Sequence, residues 1–229
     1  MTKSSKAKRA VIACGIFEVE VERLLKGHDY ISVTYLEQGL HVKPEKIAPH
    51  IQEIVDEAAK WADEIVLGYG LCSNGVAGVV APAQGLIVPK AHDCIPLFLG
   101  SLEKYKESST AHPGTYYLNS GWIKGELDPL GTLEKYKERL DPEIAEWGIQ
   151  EEMKHYTRIA YIDGNNGKSA KEIERAKENA EFLGKEFQII EGSGDYLEKL
   201  LFGPYDSEEF FHIAPGETIT QDIYLAQPD

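Results

Sequence analysis

Cysteine is scarce in this chain: three residues in 229, beside two methionines. The odd count and the absence of any C-x-x-C pair exclude a disulfide framework, a zinc ribbon and a redox dithiol. Basic residues are short as well. Lys and Arg number 24 against 38 Asp and Glu, a net charge of −14. A surface of that sign does not gather phosphates, so no nucleic-acid partner is expected. The longest basic run, KSSKAKR at residues 3–9, precedes the first predicted strand, and residues 1–8 are read as a disordered leader. No apolar stretch approaches the ~20 residues of a membrane span, and none follows the basic start as a signal peptide would require. The expected setting is cytoplasmic, with no membrane partner. There is no repeat of fixed period and no low-complexity segment. The remaining composition, 42% hydrophobic and 27% charged, is that of a globular protein able to bury a substantial core.

Strand and helix patterns alternate along the chain. RAVIACGIF (9–17) reads as a buried strand and EVEVERLLK (18–26) as a short helix with acids first and Lys26 last, as the helix dipole favours. Tyr30–Leu36 is β-branched and aromatic. Pro44 suits a helix start, and Ile47, Ile51, Ile54, Val55, Ala58 and Trp61 supply one apolar face up to about Ala62. Glu64–Gly68 and Leu86–Pro89 are the next strands. A helix over 95–105, a turn-rich segment over 112–124 with a short strand, and two short helices within 126–157 follow. Arg158–Asp163 is a strand, Gly164-Asn165-Asn166-Gly167 a turn, and Ala170, Ile173, Ala176, Ala180 and Leu183 the face of a helix that stops at Gly184. Phe187–Ile190, a helix over 195–201 and the strand Phe210–Ala214 complete the pattern. The fold class is α/β, with mostly parallel sheets flanked by helices. It forms one unit over 9–229, or two similar small lobes at 9–125 and 155–225 joined by a helical segment.

All three cysteines fall where predicted strands run out: Cys14 in VIACG, Cys72 in IVLGYGLCSNG and Cys94 in LIVPKAHDC. Open α/β folds place their chemistry there. Three thiols beside an imidazole, His92 of the H-x-C step, are the parts of a soft-metal site, with zinc or a three-cysteine [4Fe–4S] cluster as its occupant. Cys14 and Cys94 each precede a helix, whose free N–H groups would lower a thiol pKa. The alternatives are an unligated catalytic cysteine and three small buried hydrophobes. His92 would ligate or carry a proton. Asp93 is read as the cap of the following helix. His41 follows a strand and would line the pocket. The loop with glycines at 68, 70, 75 and 78 matches neither G-x-G-x-x-G nor a P-loop. Its glycines point instead to close backbone approach, with Tyr69 acting in the chemistry and Asn74 contacting the ligand. Tyr116, with Tyr117 and Trp122, would form an aromatic wall around a bound cofactor or methylated cation; the plain alternative is a satellite core.

IVLGYGLCSNGVAG, LIVPKAHDCIPLFLGSLEKY and HPGTYYLNSGWI resemble the uncharacterised family numbered 1638 among the domains of unknown function. The resemblance implies an anaerobic setting in the company of corrinoid-dependent methyltransferase systems and supplies no reaction. The family pattern lands on Cys14, His41, Cys72, His92 and Cys94; Ser73 stands where relatives often carry Gly. The H-x-C step is also similar to that of zinc methyltransferases. The expected function is a metal-dependent enzyme of methyl metabolism, with zinc activating a thiol or small methylated substrate. The alternatives are an accessory protein that serves a corrinoid partner, from which any corrinoid would come, and a [4Fe–4S] enzyme.

Overall fold

A computed structural model describes residues 7–164 and 170–226. The first six residues of the expected leader and Asn165–Gly167 of the expected turn lie outside the described residues. Lys8, also assigned to the leader, is tied down: its N–H donates to the Asp63 carboxylate at 2.7 Å. The elements in chain order are β1 (Arg9–Cys14), α1 (Glu18–Leu24), β2 (Ile31–Leu36), α2 (Ile47–Ala58), β3 (Glu64–Gly68), β4 (Leu86–Pro89), α3 (Ile95–Leu99), α4 (Leu102–Ala111), β5 (Thr115–Leu118) and α5 (Ser120–Lys124). They continue as α6 (Pro129–Lys137), α7 (Pro142–Glu152), β6 (Arg158–Asp163), α8 (Ala170–Leu183), β7 (Glu186–Glu191), α9 (Asp195–Phe202), β8 (Phe210–Ile213) and α10 (Asp222–Leu225). The fold is α/β. Among the described residues no helix is long and apolar enough to cross a membrane.

The chain divides into two compact units, 1–97 with 195–229, and 98–194. Residues 98–125, expected with the first lobe, lie in the second unit, and 195–225, expected with the second lobe, lie in the first. α9 and β8 return to the first unit because β8 completes its sheet: the strand order is β2-β1-β3-β4-β8. β1, β2, β3 and β4 run parallel and β8 antiparallel. β1 is an interior strand and every one of its six residues is buried, which is why AVIAC carries an unbroken apolar run rather than an alternation. α2 covers this sheet with Ile47, Ile51, Val55 and Ala58 buried. Trp61, read as part of that face, is instead exposed, because the helix ends at Ala58 and the chain turns before it.

The second unit holds the parallel sheet β5-β6-β7. Leu118, Leu133, Ala145, Ile149, Ile159, Tyr161 and Ala176 are among its core residues. The single helix expected over 95–105 is two, α3 and α4. Gly100 between them has φ +98°, and a Cβ there would meet the Ser193 side chain at 2.5 Å. Ser101 caps α4 by accepting from the Lys104 N–H.

A buried polar network ties the helices of this second unit. Asp128, 1% exposed, accepts from Arg175 Nε at 2.9 Å and Asn179 Nδ2 at 2.7 Å, and Asn179 Oδ1 accepts from the Leu130 N–H. Asp128→Ala should cost about 2–3 kcal/mol in urea unfolding, since it leaves a buried amide donor and half-buried guanidinium without their acceptor. A loss below ~0.5 kcal/mol would show that water replaces the carboxylate.

Candidate functional site

β1, β3 and β4 are neighbours and parallel, so their C-terminal ends share one edge of the first sheet. β1 connects outward to β2 on one side, while β3 and β4 lie on the other. The edge between β1 and β3 is thus the topological switch point, where open α/β sheets bind ligands. Cys14 is the last residue of β1; Cys72 lies four residues past β3 and Cys94 five past β4.

Two backbone bonds bring the later two together. Leu71 N–H donates to Ala91 O and Cys72 N–H to His92 O, both at 2.9 Å, so the loop after β3 continues the pairing of β3 with β4. Gly70 makes this possible. A Cβ on it would sit 2.7 Å from Asp93 O and 2.8 Å from Ala91 O, a distance backbone atoms do not concede. Gly75 does the same against Ile47 and Cys72 O. The glycines thus serve close approach, as expected, while the bend itself is made by other residues. Cys72, Ser73 and Asn74 take φ +47°, +56° and +67° in succession, a left-handed conformation that costs non-glycine residues ~1–2 kcal/mol each. The Cys72 carbonyl accepts from Gly75 N–H and closes the turn. Strain of this kind collects at functional sites.

Cys14 and Cys72 are buried, and Cys94 keeps some exposure as a residue although its sulfur is enclosed. Burial pushes the Cys14 thiol up; the Ile16 N–H and the Tyr69 hydroxyl, which face the sulfur, offset part of this. Burial also pushes Cys72 up, followed by the charges of Cys14 and Asp93, against the Gly70 N–H. Cys94 is raised by burial, then by Cys72, Asp93 and Cys14. This corrects the expectation of lowered thiol pKa values at helix N-termini: the N–H groups are there, and desolvation outweighs them. Cys72 feels the charge of Cys14, and Cys94 those of Cys72 and Cys14, so the three lie in one region. Among the described residues, no three or more His, Cys, Asp or Glu side chains already surround a single point as a metal ion's ligands.

Aromatic groups stand around the thiols. Tyr69 is 1% exposed, its ring stacked 6.1 Å from His41 at 12°; His41 is exposed and its Nδ1 lies 3.1 Å from Gln38 O. Burial raises the Tyr69 phenol first, and the charges of Cys14, Cys72 and Cys94 add to it. Tyr224, on α10, is a residue the sequence reading missed. Its ring is 6.1 Å from that of His92, and Cys72 follows burial in raising its phenol. No spacing signal marked it, for it comes 130 residues after Cys94 on a four-residue helix. His92 is exposed, and Asp93 Oδ1 accepts from the Ile95 N–H at 2.8 Å, the expected cap. Asn74 is exposed on the strained turn. Tyr116 belongs to the second unit, where it packs against that unit's core and edge-on to Tyr156 at 5.1 Å; Trp122 packs there also. A separate hollow of about 290 Å³ lies at the opposite edge of the first sheet, among Glu64, Leu86, His212 and Pro215, and carries no thiol.

Fold and site define an α/β protein with a three-thiol cluster at its sheet's switch point. The family described as protein of unknown function (DUF1638) matches residues 35–201, well over half of the chain, and the chain belongs to that family. The matched span includes His41, Tyr69, Cys72, His92 and Cys94; Cys14 precedes it and Tyr224 follows it. No curated protein and no solved structure matches the chain.

Two outcomes are expected. Gly70→Ala should destabilise the protein by ~1–3 kcal/mol through overpacking and speed Cys72 modification by a thiol reagent, whereas Gly39→Ala, where a Cβ meets nothing within 4 Å, should do neither. Equal behaviour of the two variants would deny Gly70 its role. Metal-free protein should also lose stability as pH rises. A thiol raised on folding stays protonated above ~8.5 while the unfolded chain deprotonates, so the folded state holds more protons. Stability is full below pH ~8.5 and falls above it by up to ~1.4 kcal/mol per unit for each thiol. Urea unfolding between pH 7.5 and 9.5 measures the slope; Cys72→Ala should flatten it, and an already flat parent curve would contradict the raised thiols.

Proposed function

We propose that the first unit carries a thiolate-bound soft-metal centre, with Cys14, Cys72 and Cys94 as its protein ligands and a further coordination position open. The centre is the reactive site of a metal-dependent enzyme of one-carbon or methyl metabolism. One observation supports this above the others: the three thiols come from the C-terminal ends of three neighbouring parallel strands, and backbone bonds hold the loops of Cys72 and Cys94 together. As neutral thiols they are poor nucleophiles. A divalent soft cation replaces their protons and cancels their mutual repulsion. The donor set suits zinc, for which the sulfurs must close to ~2.3 Å from one point. It also suits a [4Fe–4S] cluster with one open iron, which spans a wider spacing of cysteines. Bound there, zinc would lower the pKa of a substrate thiol and leave a nucleophile at neutral pH. The chain's own contribution is to hold the substrate against the edge lined by Tyr69, His41 and His92 and to accept or return a proton at an imidazole.

A second reading is a non-catalytic accessory protein that serves a corrinoid methyltransferase system. It draws on the second unit, where Leu140, Ile144 and Trp147, the last 66% exposed, recur at spacings of four and three along α7 and the turn before it. Contiguous exposed apolar side chains of this kind mark protein interaction surfaces.

Protein purified without oxygen should contain about one zinc ion, or iron and sulfide in equal amounts, per chain. Cys72→Ser should empty the centre while unfolding at the parent's urea midpoint in the metal-free state. A variant that keeps its full metal content, or a parent that binds none after reconstitution, would defeat the reading.

A further inference from the structure

Arg158 opens β6, the middle strand of the second unit's sheet, and is 4% exposed. Burying a guanidinium is costly unless a counter-charge goes with it. Here none does. Its Nε donates to Thr115 Oγ1 at 3.1 Å and its Nη1 to Gln188 Oε1, and both acceptors are neutral. Its Nη2 is fully buried and donates to nothing. Glu186, paired with Arg158 along the sheet, is exposed and forms no ion pair with it; among the described residues no other carboxylate does so. A chain with 38 acidic residues thus leaves a buried cation without one, and a native structure that does so has a reason for it.

The guanidinium is also held in place. The Thr115 hydroxyl donates its own proton to the His112 carbonyl at 2.7 Å, which leaves its oxygen to accept from Arg158. Gln188 holds the other side from β7. Two of the three nitrogens are fixed by neutral groups and the third is left over, an edge of the fork that a planar carboxylate engages. The parallel register puts Thr115, Tyr117, Arg158, Ala160 and Gln188 on one face of the sheet, opposite the face whose Ile159 and Tyr161 enter the core. α4 lies on this side: the Tyr117 hydroxyl is 2.8 Å from Ser108 Oγ, and its ring is 6.4 Å from that of Tyr105. α4 has no buried residue, so it opens from the sheet without exposing a core of its own, as covers over binding sites do. Gln188 is exposed, so the guanidinium lies one side chain in from solvent.

We propose that Arg158 anchors a binding site for a small organic carboxylate on the sheet face beneath α4, with Thr115 and Gln188 as its positioning residues. Charge selects the class. One monoanion cancels one guanidinium, whereas a phosphate dianion would leave surplus negative charge in a chain already at −14. The carboxylate oxygens accept from Nη2 and from the second N–H of Nη1; no proton or electron moves. The site belongs to the second unit and is independent of the metal reading of the first.

The test uses the full chain and acetate as the probe, because acetate carries the carboxylate and presumes nothing about the rest of the ligand. Thermal unfolding is followed as sodium acetate replaces sodium chloride at constant ionic strength. The parent's midpoint should rise and saturate, as binding to the folded state requires. The general effect of acetate on stability is common to parent and variants and does not saturate. Arg158→Lys keeps the charge and loses the fork, and should weaken acetate at least ~10-fold. Gln188→Glu supplies the missing carboxylate from the chain itself: in chloride it should unfold above the parent, and acetate should add nothing specific. Because Gln188 is exposed, this variant keeps the readout if Arg158→Lys does not fold. An arginine satisfied by an enclosed water would show no saturable response in the parent, and that result would overturn the proposal. So would an equal saturable response to sulfate, or an acetate response that survives in Gln188→Glu.

Discussion

The contact on which the site depends is the one between backbones just past β3 and β4. Parallel strands of one sheet end at one edge, but adjacent strands lie ~4.8 Å apart, so β1 and β4, with β3 between them, end about 10 Å from each other. Side chains at three such ends do not meet unless the loops fold back. Gly70 lets them. With no Cβ, it lies against the carbonyls of Ala91 and Asp93, and the bonds from Leu71 and Cys72 to Ala91 and His92 carry the ladder beyond the strands. Gly68, whose Cβ would meet the Ala13 side chain at 2.8 Å, closes β3 onto the residue before Cys14 in the same way. The loops that carry Cys72 and Cys94 are thereby held together, beside the end of β1, by backbone packing.

The sequence carried the strands well, because a buried parallel strand must be apolar throughout. Glu64–Gly68, Leu86–Pro89 and Arg158–Asp163 stand where their apolar runs put them. Helix ends were harder to read. Ile95–Tyr105 looks continuous, and only the positive φ of Gly100 divides it. Trp61 extends the periodicity of α2 on paper, yet the helix has ended before reaching it. The course of the chain between the units was least legible, since the return of β8 to the first sheet is a long-range pairing with Leu86–Pro89 that no local pattern announces.

The candidate site divides along the same line. Cys14, Cys72, Cys94 and Tyr69 were visible because strand ends are local features, and Asp93 because a cap is read two residues ahead. Tyr224 was invisible: its place beside His92 is set by how the last residues of the chain pack, which is a tertiary fact. The direction of the thiol shifts was misjudged for a related reason. A helix N-terminus is legible in sequence, whereas burial is a collective property of every element that surrounds the sulfur, and here the collective effect is the larger.

The plain alternative, three cysteines used as small hydrophobes, accounts for their burial and for their raised protonation. It does not account for their surroundings. A core filled for packing alone gains nothing by holding Cys72, Ser73 and Asn74 in left-handed conformation, when glycine at those positions would relieve the strain. Nor does it gain by burying the Tyr224 phenol oxygen without a partner, when phenylalanine would pack as well. These costs fall on Cys72 itself and on the residues that follow it or pack beside His92. Local rules are broken in natural proteins where function requires it and seldom elsewhere. An edge that carries backbone strain beside three buried thiols has the physical character of a site rather than of packing alone.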